Sequence, residues 1–172
     1  MRALPFLFRR SMSSQKTNLT NPAVLIATFG GVGWLPRAPG TWASLASLPI
    51  GWWIIAQWGP TALAAASTIL FFLGVWACNR YEILTGVHDA SSCVVDEVVG
   101  QWLVLLVVPL DPVFYVCAFF AFRFFDIVKP WPTGWVDRRL LGGLGIMLDD
   151  VVAGAQAGIV LWAVESSLRH FL

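Results

Sequence analysis

The sequence predicts an all-α fold, namely a multihelical, membrane-associated bundle with short or broken apolar helices. The chain is 58% hydrophobic and only 12% charged, and its mean hydropathy is +0.72. Soluble domains average about 25% charged residues, so this chain has too few charges to cover a water-facing surface. Its apolar runs are also too long for strands, and they lack the alternation of a half-buried strand.

Length and net charge narrow the classes of protein to which this chain could belong. A chain of 172 residues fits one domain, and a net charge of +1 gives no reason to expect nucleic-acid binding. Residues 1–22 contain four basic residues and no acidic one. We therefore expect a basic, disordered tail over residues 1–22 and a single domain over residues 23–172. The positive-inside tendency would keep the tail in the cytoplasm, and an organelle transit peptide is the alternative.

The first two apolar runs, residues 42–58 and 61–78, are separated by Gly59-Pro60. Each run has about 17 residues, the lower limit for a membrane-spanning helix, and Gly-Pro favours a tight turn. These features predict a helical hairpin. Several tryptophans stand near the ends of apolar runs, where an indole ring favours the membrane interface: Trp34, Trp42, Trp58, Trp76, Trp102, Trp131 and Trp135.

The next apolar block, residues 98–122, is interrupted by Pro109-Leu110-Asp111-Pro112. Either one kinked span or two short helices that turn back would fit this pattern. Two short helices that turn back are favoured, because only then do the acidic residues before and after this block face the same side of the membrane. Basic residues between 123 and 150 also indicate the cytoplasmic side. The last run, residues 151–168, contains small residues that permit close helix packing.

Two acid pairs, Asp96-Glu97 and Asp149-Asp150, each precede an apolar run and contain four of the ten acidic residues. Clustered carboxylates resist transfer out of water, so a bound cation is the natural reason for them. Carboxylate oxygens suit Mg²⁺, Mn²⁺ or Ca²⁺. Asp89 precedes Asp96 by seven residues and would share its face on a continuous helix. The alternative is that these acids only stabilise helix amino termini.

A loop rich in glycine and proline, residues 30–44, is a candidate for anion binding. Exposed backbone N–H groups before a helix start suit a phosphate, and the guanidinium of Arg37 can bind two phosphate oxygens. Thr41 or Ser44 could cap the helix that begins there. A plain turn with an exposed arginine is the alternative.

A second candidate for phosphate binding is the basic segment around residues 123–129. Arg123, Asp126 and Lys129 recur every three residues, so one helical face would present positive, negative and positive charge. The segment could be a phosphate clamp in which Asp126 orients the two cations. An ordinary ladder of salt bridges within the helix fits equally well.

Four motifs, in order, resemble the phosphatidylglycerophosphatase A family. They are Leu-Pro-x-Ala-Pro-Gly-Thr, Asp-Glu-x-x-Gly, Phe-Arg-x-Phe-Asp-Ile-x-Lys-Pro-Trp-Pro and Gly-Gly-x-Gly-Ile-Met-x-Asp-Asp, and together they span residues 30–154. Two small residues, Ala43 and Ala90, depart from the family pattern outside the acid pairs. The resemblance implies a helical, magnesium-dependent lipid phosphatase that removes the terminal phosphate of phosphatidylglycerophosphate to give phosphatidylglycerol.

The acid pairs and the resemblance together define an expected site. The expected ligands of one or more Mg²⁺ ions, with Mn²⁺ as an alternative, are Asp89, Asp96, Glu97, Asp149 and Asp150. The expected catalytic residues are Asp96, Glu97, Asp149 and Asp150. The phosphate would be bound by Arg37, Thr41, Ser44, Arg123 and Lys129, with Asp126 orienting the cations. The ion would neutralise phosphate charge and activate a water, and whether one carboxylate acts as a general base or as a nucleophile stays open.

The same resemblance implies a multi-pass protein of the bacterial inner (cytoplasmic) membrane with its active site on the cytoplasmic side. The expected partners are the membrane and its lipid substrate, and no nucleic acid. The competing class is a membrane cation transporter that uses the acid pairs as an ion pathway. A transporter would place its acids near the middle of a span, whereas these acids stand at the edges of apolar runs.

Overall fold

The structure is a computed structural model that describes residues 18–171, and for Phe171 only the backbone. Most of the predicted tail, residues 1–17, lies outside the described residues. Within the described part there is no strand, and the predicted all-α fold is confirmed. The helices are α1 (Pro22–Ala27), α2 (Pro39–Trp58), α3 (Pro60–Thr85), α4 (Val95–Leu105), α5 (Pro112–Val128), α6 (Thr133–Arg139) and α7 (Gly142–Phe171), with a short 3-10 turn at Val32–Trp34.

The predicted hairpin of the first two apolar runs is confirmed as α2 and α3. Only Gly59 separates the two helices, and its φ of 79° lies in the region that glycine adopts without strain. Its N–H closes α2 by donating to the Ile55 carbonyl at 2.9 Å. Pro60 then begins α3 at a position where a helix needs no N–H donor.

The apolar block over residues 98–122 forms two helices, α4 and α5, rather than one kinked span. Asp111 caps α5, because its Oδ1 accepts hydrogen bonds from the N–H groups of Val113 and Phe114 at 2.8 and 3.2 Å. The pair turns back as predicted. Glu97 in the first turn of α4 lies 3.9 Å from Arg123 near the end of α5, so both ends lie on the same side of the bundle.

Helix α4 lies at the centre of the bundle, where it contacts α2, α3, α5 and α7. Nine of its eleven residues are buried. Gly100 lets α4 approach α7 closely, because a Cβ there would stand 2.7 Å from the Asp150 carbonyl oxygen and would also overlap the Phe122 ring. This close approach brings the acidic start of α4 against the acidic segment of α7.

Helix α7 begins at Gly142, before the last apolar run of the sequence. Three of the residues 142–145 are glycines, which favour a loop, but these residues form the first turn of α7. The cost of glycine in a helix is offset here by close packing on α3: a Cβ at Gly143 would overlap the Val75 carbonyl, and the Gly143 N–H donates to Asn79 Oδ1 at 2.8 Å. Asp149 and Asp150 therefore lie inside a helix, and the alternative that the acids only stabilise helix amino termini does not hold for this pair.

Two helices among the described residues, α3 and α7, are long and apolar enough to cross a membrane. Much of the apolar surface is exposed, which fits a membrane-associated bundle. Eight of the ten tryptophans are exposed. The prediction that Trp102 lies at the membrane interface is wrong, because Trp102 is buried and its Nε1 donates to the Ser47 carbonyl at 3.0 Å.

Candidate active site

Three carboxylates from two helices meet at one end of the bundle. Asp96 and Glu97 come from the first turn of α4, and Asp150 comes from the third turn of α7. One carboxylate oxygen from each residue lies within 4.8 Å of the other two. We call these three residues the acid cluster. The central part of the predicted metal site is thus brought together by the fold.

The acid cluster is shielded from water and lacks hydrogen-bond donors. Asp96 and Asp150 are 9% and 3% exposed, and one oxygen of each side chain, Asp96 Oδ1, Glu97 Oε2 and Asp150 Oδ2, has no hydrogen-bond partner. Burial, and then the neighbouring charge of Glu97, raise the pKa of Asp96 well above its ordinary value. Such a cluster is stable only if it holds protons or a cation.

The acid cluster opens into a cavity of about 300 Å³. The cavity is lined by the start of α2, residues 88–93, the start of α4, the end of α5, α6 and α7. Seven acidic residues line it: Asp89, Asp96, Glu97, Asp126, Asp137, Asp149 and Asp150. A cavity of this size suits a small polar group such as a phosphate with its counter-ion.

Lys129 is the one lysine or arginine among the described residues that line the cavity. Its Nζ donates to Asp137 Oδ1 at 2.5 Å and to Asp149 Oδ2 at 2.6 Å. Burial lowers the pKa of Lys129, but the two hydrogen bonds outweigh burial and leave the pKa above its ordinary value. Lys129 therefore carries its positive charge throughout the neutral pH range.

The predicted ladder of Arg123, Asp126 and Lys129 forms only in part. Arg123 Nη1 lies 2.6 Å from Asp126 Oδ2, so Asp126 orients this guanidinium as expected. Lys129 lies just after the last residue of α5, with a φ of 48°, which turns it away from the helical face. Its partners are Asp137 and Asp149, and the expectation that Asp126 orients both cations is wrong.

Two of the five expected metal ligands lie outside the acid cluster. Asp149 lies beside Asp150 but is bound by Lys129. Asp89 lines the cavity as an exposed residue with a φ of 47°. The expected helical face shared by Asp89 and Asp96 does not form, because α4 begins only at Val95.

The loop before α2 contributes to the site differently from the prediction. Helix α2 begins at Pro39, so Thr41 and Ser44 lie within it and neither caps it. Ser44 instead donates to the Gly40 carbonyl at 2.9 Å. Arg37 is exposed, and the part of this segment that lines the cavity is Pro39 and Gly40.

Sequence reasoning missed Asp137 and Gly40. Asp137 is a single acid beside two arginines, and nothing in the local pattern indicates that α6 brings it to Lys129. Gly40 packs so closely on Glu97 that a Cβ there would overlap the carboxylate. The Ala-Pro-Gly-Thr motif was the available signal for Gly40, since a glycine inside a helix usually marks a close approach.

Taken together, fold and site define a membrane-associated helical protein with a carboxylate cluster and two nearby cations, an arrangement suited to a phosphate ester. A family model described as Phosphatidylglycerophosphatase A matches residues 25–165. The chain belongs to this family of phosphatases, and the resemblance inferred from its four motifs is confirmed.

Relatives in three bacteria are similar over most of their length. The Phosphatidylglycerophosphatase A of Haemophilus influenzae is 40% identical over 152 residues, 88% of this chain and 93% of the relative. The Phosphatidylglycerophosphatase A of Escherichia coli is 36% identical over 157 residues, 90% of each chain. A relative in Bacteroides thetaiotaomicron is 43% identical over 147 residues, 80% of this chain and 90% of its own, and its name proposes a phosphatidylinositol-3-phosphatase. No solved structure matches the chain.

Proposed function

We propose that this protein hydrolyses phosphatidylglycerophosphate to phosphatidylglycerol and phosphate, and that the reaction depends on Mg²⁺. Membership in the family supports the reaction. The names of two relatives support it as well, and the similarity covers 93% and 90% of the length of these relatives. The observation that carries the magnesium proposal is the acid cluster, three nearly buried carboxylates with unpartnered oxygens within 4.8 Å of one another.

The chemistry of the acid cluster fits Mg²⁺. Three carboxylates offer hard oxygen donors, and Mg²⁺ is usually bound by few carboxylates while it keeps several waters. Asp96, Glu97 and Asp150 would hold the ion, directly or through water, and Mn²⁺ has the same ligand preference. When bound, a divalent ion supplies charge neutralisation of the phosphate and an activated water.

The remaining polar residues of the site act on the phosphate. Arg123 lies 3.9 Å from Glu97 and Lys129 lies 2.6 Å from Asp149, and these two positive charges would bind the nonbridging phosphate oxygens. The ion pair between Arg123 and Asp126 limits the freedom of the guanidinium, so it is oriented before substrate binds. Since the cavity walls shield the acid cluster from bulk water, these charges interact more strongly than they would on an open surface.

The membrane-associated fold fits a phospholipid substrate. The acyl chains could stay in the hydrocarbon while the phosphate enters the cavity at the interface. Trp131, which is 81% exposed, stands two residues after Lys129 of the cavity wall. We place the protein in the bacterial inner membrane as a multi-pass protein, with its active site on the cytoplasmic side. The return of α5 to the acidic start of α4 supports one shared side for all site residues.

The test is phosphate release from phosphatidylglycerophosphate in detergent micelles by the purified full chain, with Mg²⁺ or with EDTA. We expect Asp96→Asn and Asp150→Asn each to lower the rate at least about 100-fold. Asp111→Asn is the matched control, because Asp111 caps α5 at the end away from Arg123, does not line the cavity, and asparagine can still cap a helix. Activity that survives both substitutions, or that is equal in EDTA, would contradict the metal-site proposal.

Substrate range and the transporter alternative need two further comparisons. Phosphatidylinositol 3-phosphate and a water-soluble phosphomonoester, each compared with phosphatidylglycerophosphate, test the selectivity for headgroup and lipid. Equal turnover of the water-soluble ester would contradict the lipid assignment. A cation transporter would instead move Mg²⁺ into proteoliposomes without releasing phosphate, and the same Asp150→Asn variant would abolish that flux.

A further inference from the structure

Six of the seven acidic residues around the cavity fall into two groups according to how closely a basic side chain approaches them. Asp126, Asp137 and Asp149 each have an oxygen within 2.6 Å of an arginine or lysine nitrogen. The acid cluster, in contrast, has three carboxylate oxygens without a hydrogen-bond partner, and Arg123 Nη1 lies farther away, at 3.9 Å from Glu97 Oε1. A carboxylate that already holds a protein cation is a poor candidate to bind a metal ion as well. The two groups therefore have different tasks.

Lys129 is held at both ends of its side chain. A Cβ at Gly134 would stand 2.6 Å from the Lys129 carbonyl oxygen, so the first turn of α6 packs directly on the Lys129 backbone. One turn later, Asp137 of α6 binds the Lys129 ammonium, while Asp149 of α7 binds it from the other side. A lysine side chain is flexible by itself, and these two contacts restrict it to one position at the cavity wall.

We propose that Asp137 and Asp149 are positioning residues that hold the Lys129 ammonium in place as the phosphate-binding cation. The inference rests on the proposed function and deepens it: it adds Asp137 to the site and moves Asp149 from the metal ligands to the lysine. The side chain of Lys129 is 30% exposed, so its ammonium can contact an incoming phosphate without leaving its two partners. Helix α6 thus serves to place Asp137.

The first test compares Asp137→Asn with the wild-type protein. Asparagine keeps the size but loses the charge, so Lys129 keeps only one of its two ion pairs, that with Asp149, and its ammonium is held less firmly. We expect the KM for phosphatidylglycerophosphate to rise about tenfold, while kcat stays within about threefold and the Mg²⁺ concentration for half-maximal activity is unchanged. An unchanged KM would overturn the proposal. So would a change in the Mg²⁺ requirement as large as that of Asp150→Asn, because Asp137 would then act as a metal ligand.

The second test is a double-mutant cycle with Lys129→Gln. If Asp137 acts only through Lys129, Asp137→Asn adds no further loss in the Lys129→Gln background, and additive losses would overturn the proposal. If Asp137→Asn does not fold, Asp137→Glu and Lys129→Gln take its place, and Asp137→Glu should keep a KM closer to that of the wild type than Lys129→Gln does.

Binding of inorganic phosphate, measured by calorimetry with Mg²⁺ present, separates this inference from the proposed function because it needs no turnover. If the wild-type protein fails to hydrolyse phosphatidylglycerophosphate, the proposed function fails. The positioning role still stands if phosphate binds the wild type about tenfold more tightly than either Asp137→Asn or Lys129→Gln. Equal phosphate affinity in the three proteins would overturn it.

Discussion

Gly40 offers a direct test of whether the position of Glu97 determines metal binding. Helices α2 and α4 run in the same direction, with Gly40 facing Glu97 and Gly51 facing Leu105 and Trp102 further along. A Cβ at Gly40 would overlap Glu97 Oε1, and a Cβ at Gly51 would stand 2.7 Å from Leu105 Cδ1. Both glycines thus face a side chain of α4, with the closer approach at Gly40, and only Gly40 contacts the acid cluster.

The expected effects follow from these contacts. Overpacking costs about 1–3 kcal/mol, and replacing glycine by alanine in a helix returns up to about 1 kcal/mol. Both Gly40→Ala and Gly51→Ala should therefore destabilise the protein by about 0–3 kcal/mol, with the larger loss at Gly40, where the overlap is closer. Gly40→Ala should also displace the Glu97 carboxylate. Disturbing the support of a metal ligand usually costs about 10–100-fold in affinity or activity, so the Mg²⁺ concentration for half-maximal activity should rise by that factor.

The assay is phosphate release as a function of Mg²⁺ concentration, together with thermal melting of each variant. Gly51→Ala should be destabilised no more than Gly40→Ala and should keep the Mg²⁺ requirement of the wild type. An equal change in Mg²⁺ requirement in both variants, or no change in either, would refute the reasoning, because the contact between Gly40 and Glu97 would then have no bearing on the ion.

Three further predictions concern the acids. Burial and the charge of Glu97 raise the pKa of Asp96, so the folded protein holds the proton of the Asp96 carboxyl more tightly than the unfolded chain does. In EDTA the Tm should therefore fall as the pH rises above about 4, and added Mg²⁺ should reverse the fall. Asp150→Asn should raise the Mg²⁺ concentration for half-maximal activity, whereas Asp149→Asn should mainly raise the KM, and the two titrations in parallel check this. Asp111→Ala should lower the free energy of unfolding by about 1 kcal/mol, because it removes the cap of α5, and urea unfolding measures this loss. The Mg²⁺ requirement should not change, since the cap lies at the opposite end of α5 from Arg123.

The features that the sequence predicted correctly rest on local signals or on topology. Gly59 with Pro60 marks the first hairpin, and the prolines at 109 and 112 mark the break between α4 and α5. The return of α5 then follows from requiring one side of the membrane for all acids. That requirement alone places Asp96 and Asp150 on the same side of the membrane.

The features that could not be predicted depend on contacts between distant parts of the chain. The glycines at 142, 143 and 145 indicate a loop by propensity, and only packing against α3 makes them helical. Trp102 stands at the end of an apolar run like the exposed tryptophans, but α2 covers it and supplies the Ser47 carbonyl as acceptor. Lys129 matches a helical ladder by its spacing, yet α5 ends one residue before it.

The two acid pairs look alike in the sequence, but helix geometry gives their members different surroundings. Successive residues of an α-helix point about 100° apart, so Asp149 and Asp150 cannot both face the same partner. Asp150 faces Asp96 and Glu97 at the start of α4, while Asp149 points toward Lys129 and α6. Since Lys129 already pairs with Asp149, the charge that a cation must balance is mainly that of Asp150 and the α4 pair. The repeated pair therefore does not form a symmetric four-carboxylate site: one residue of the second pair completes the acid cluster, and the other holds the cation that would contact the phosphate.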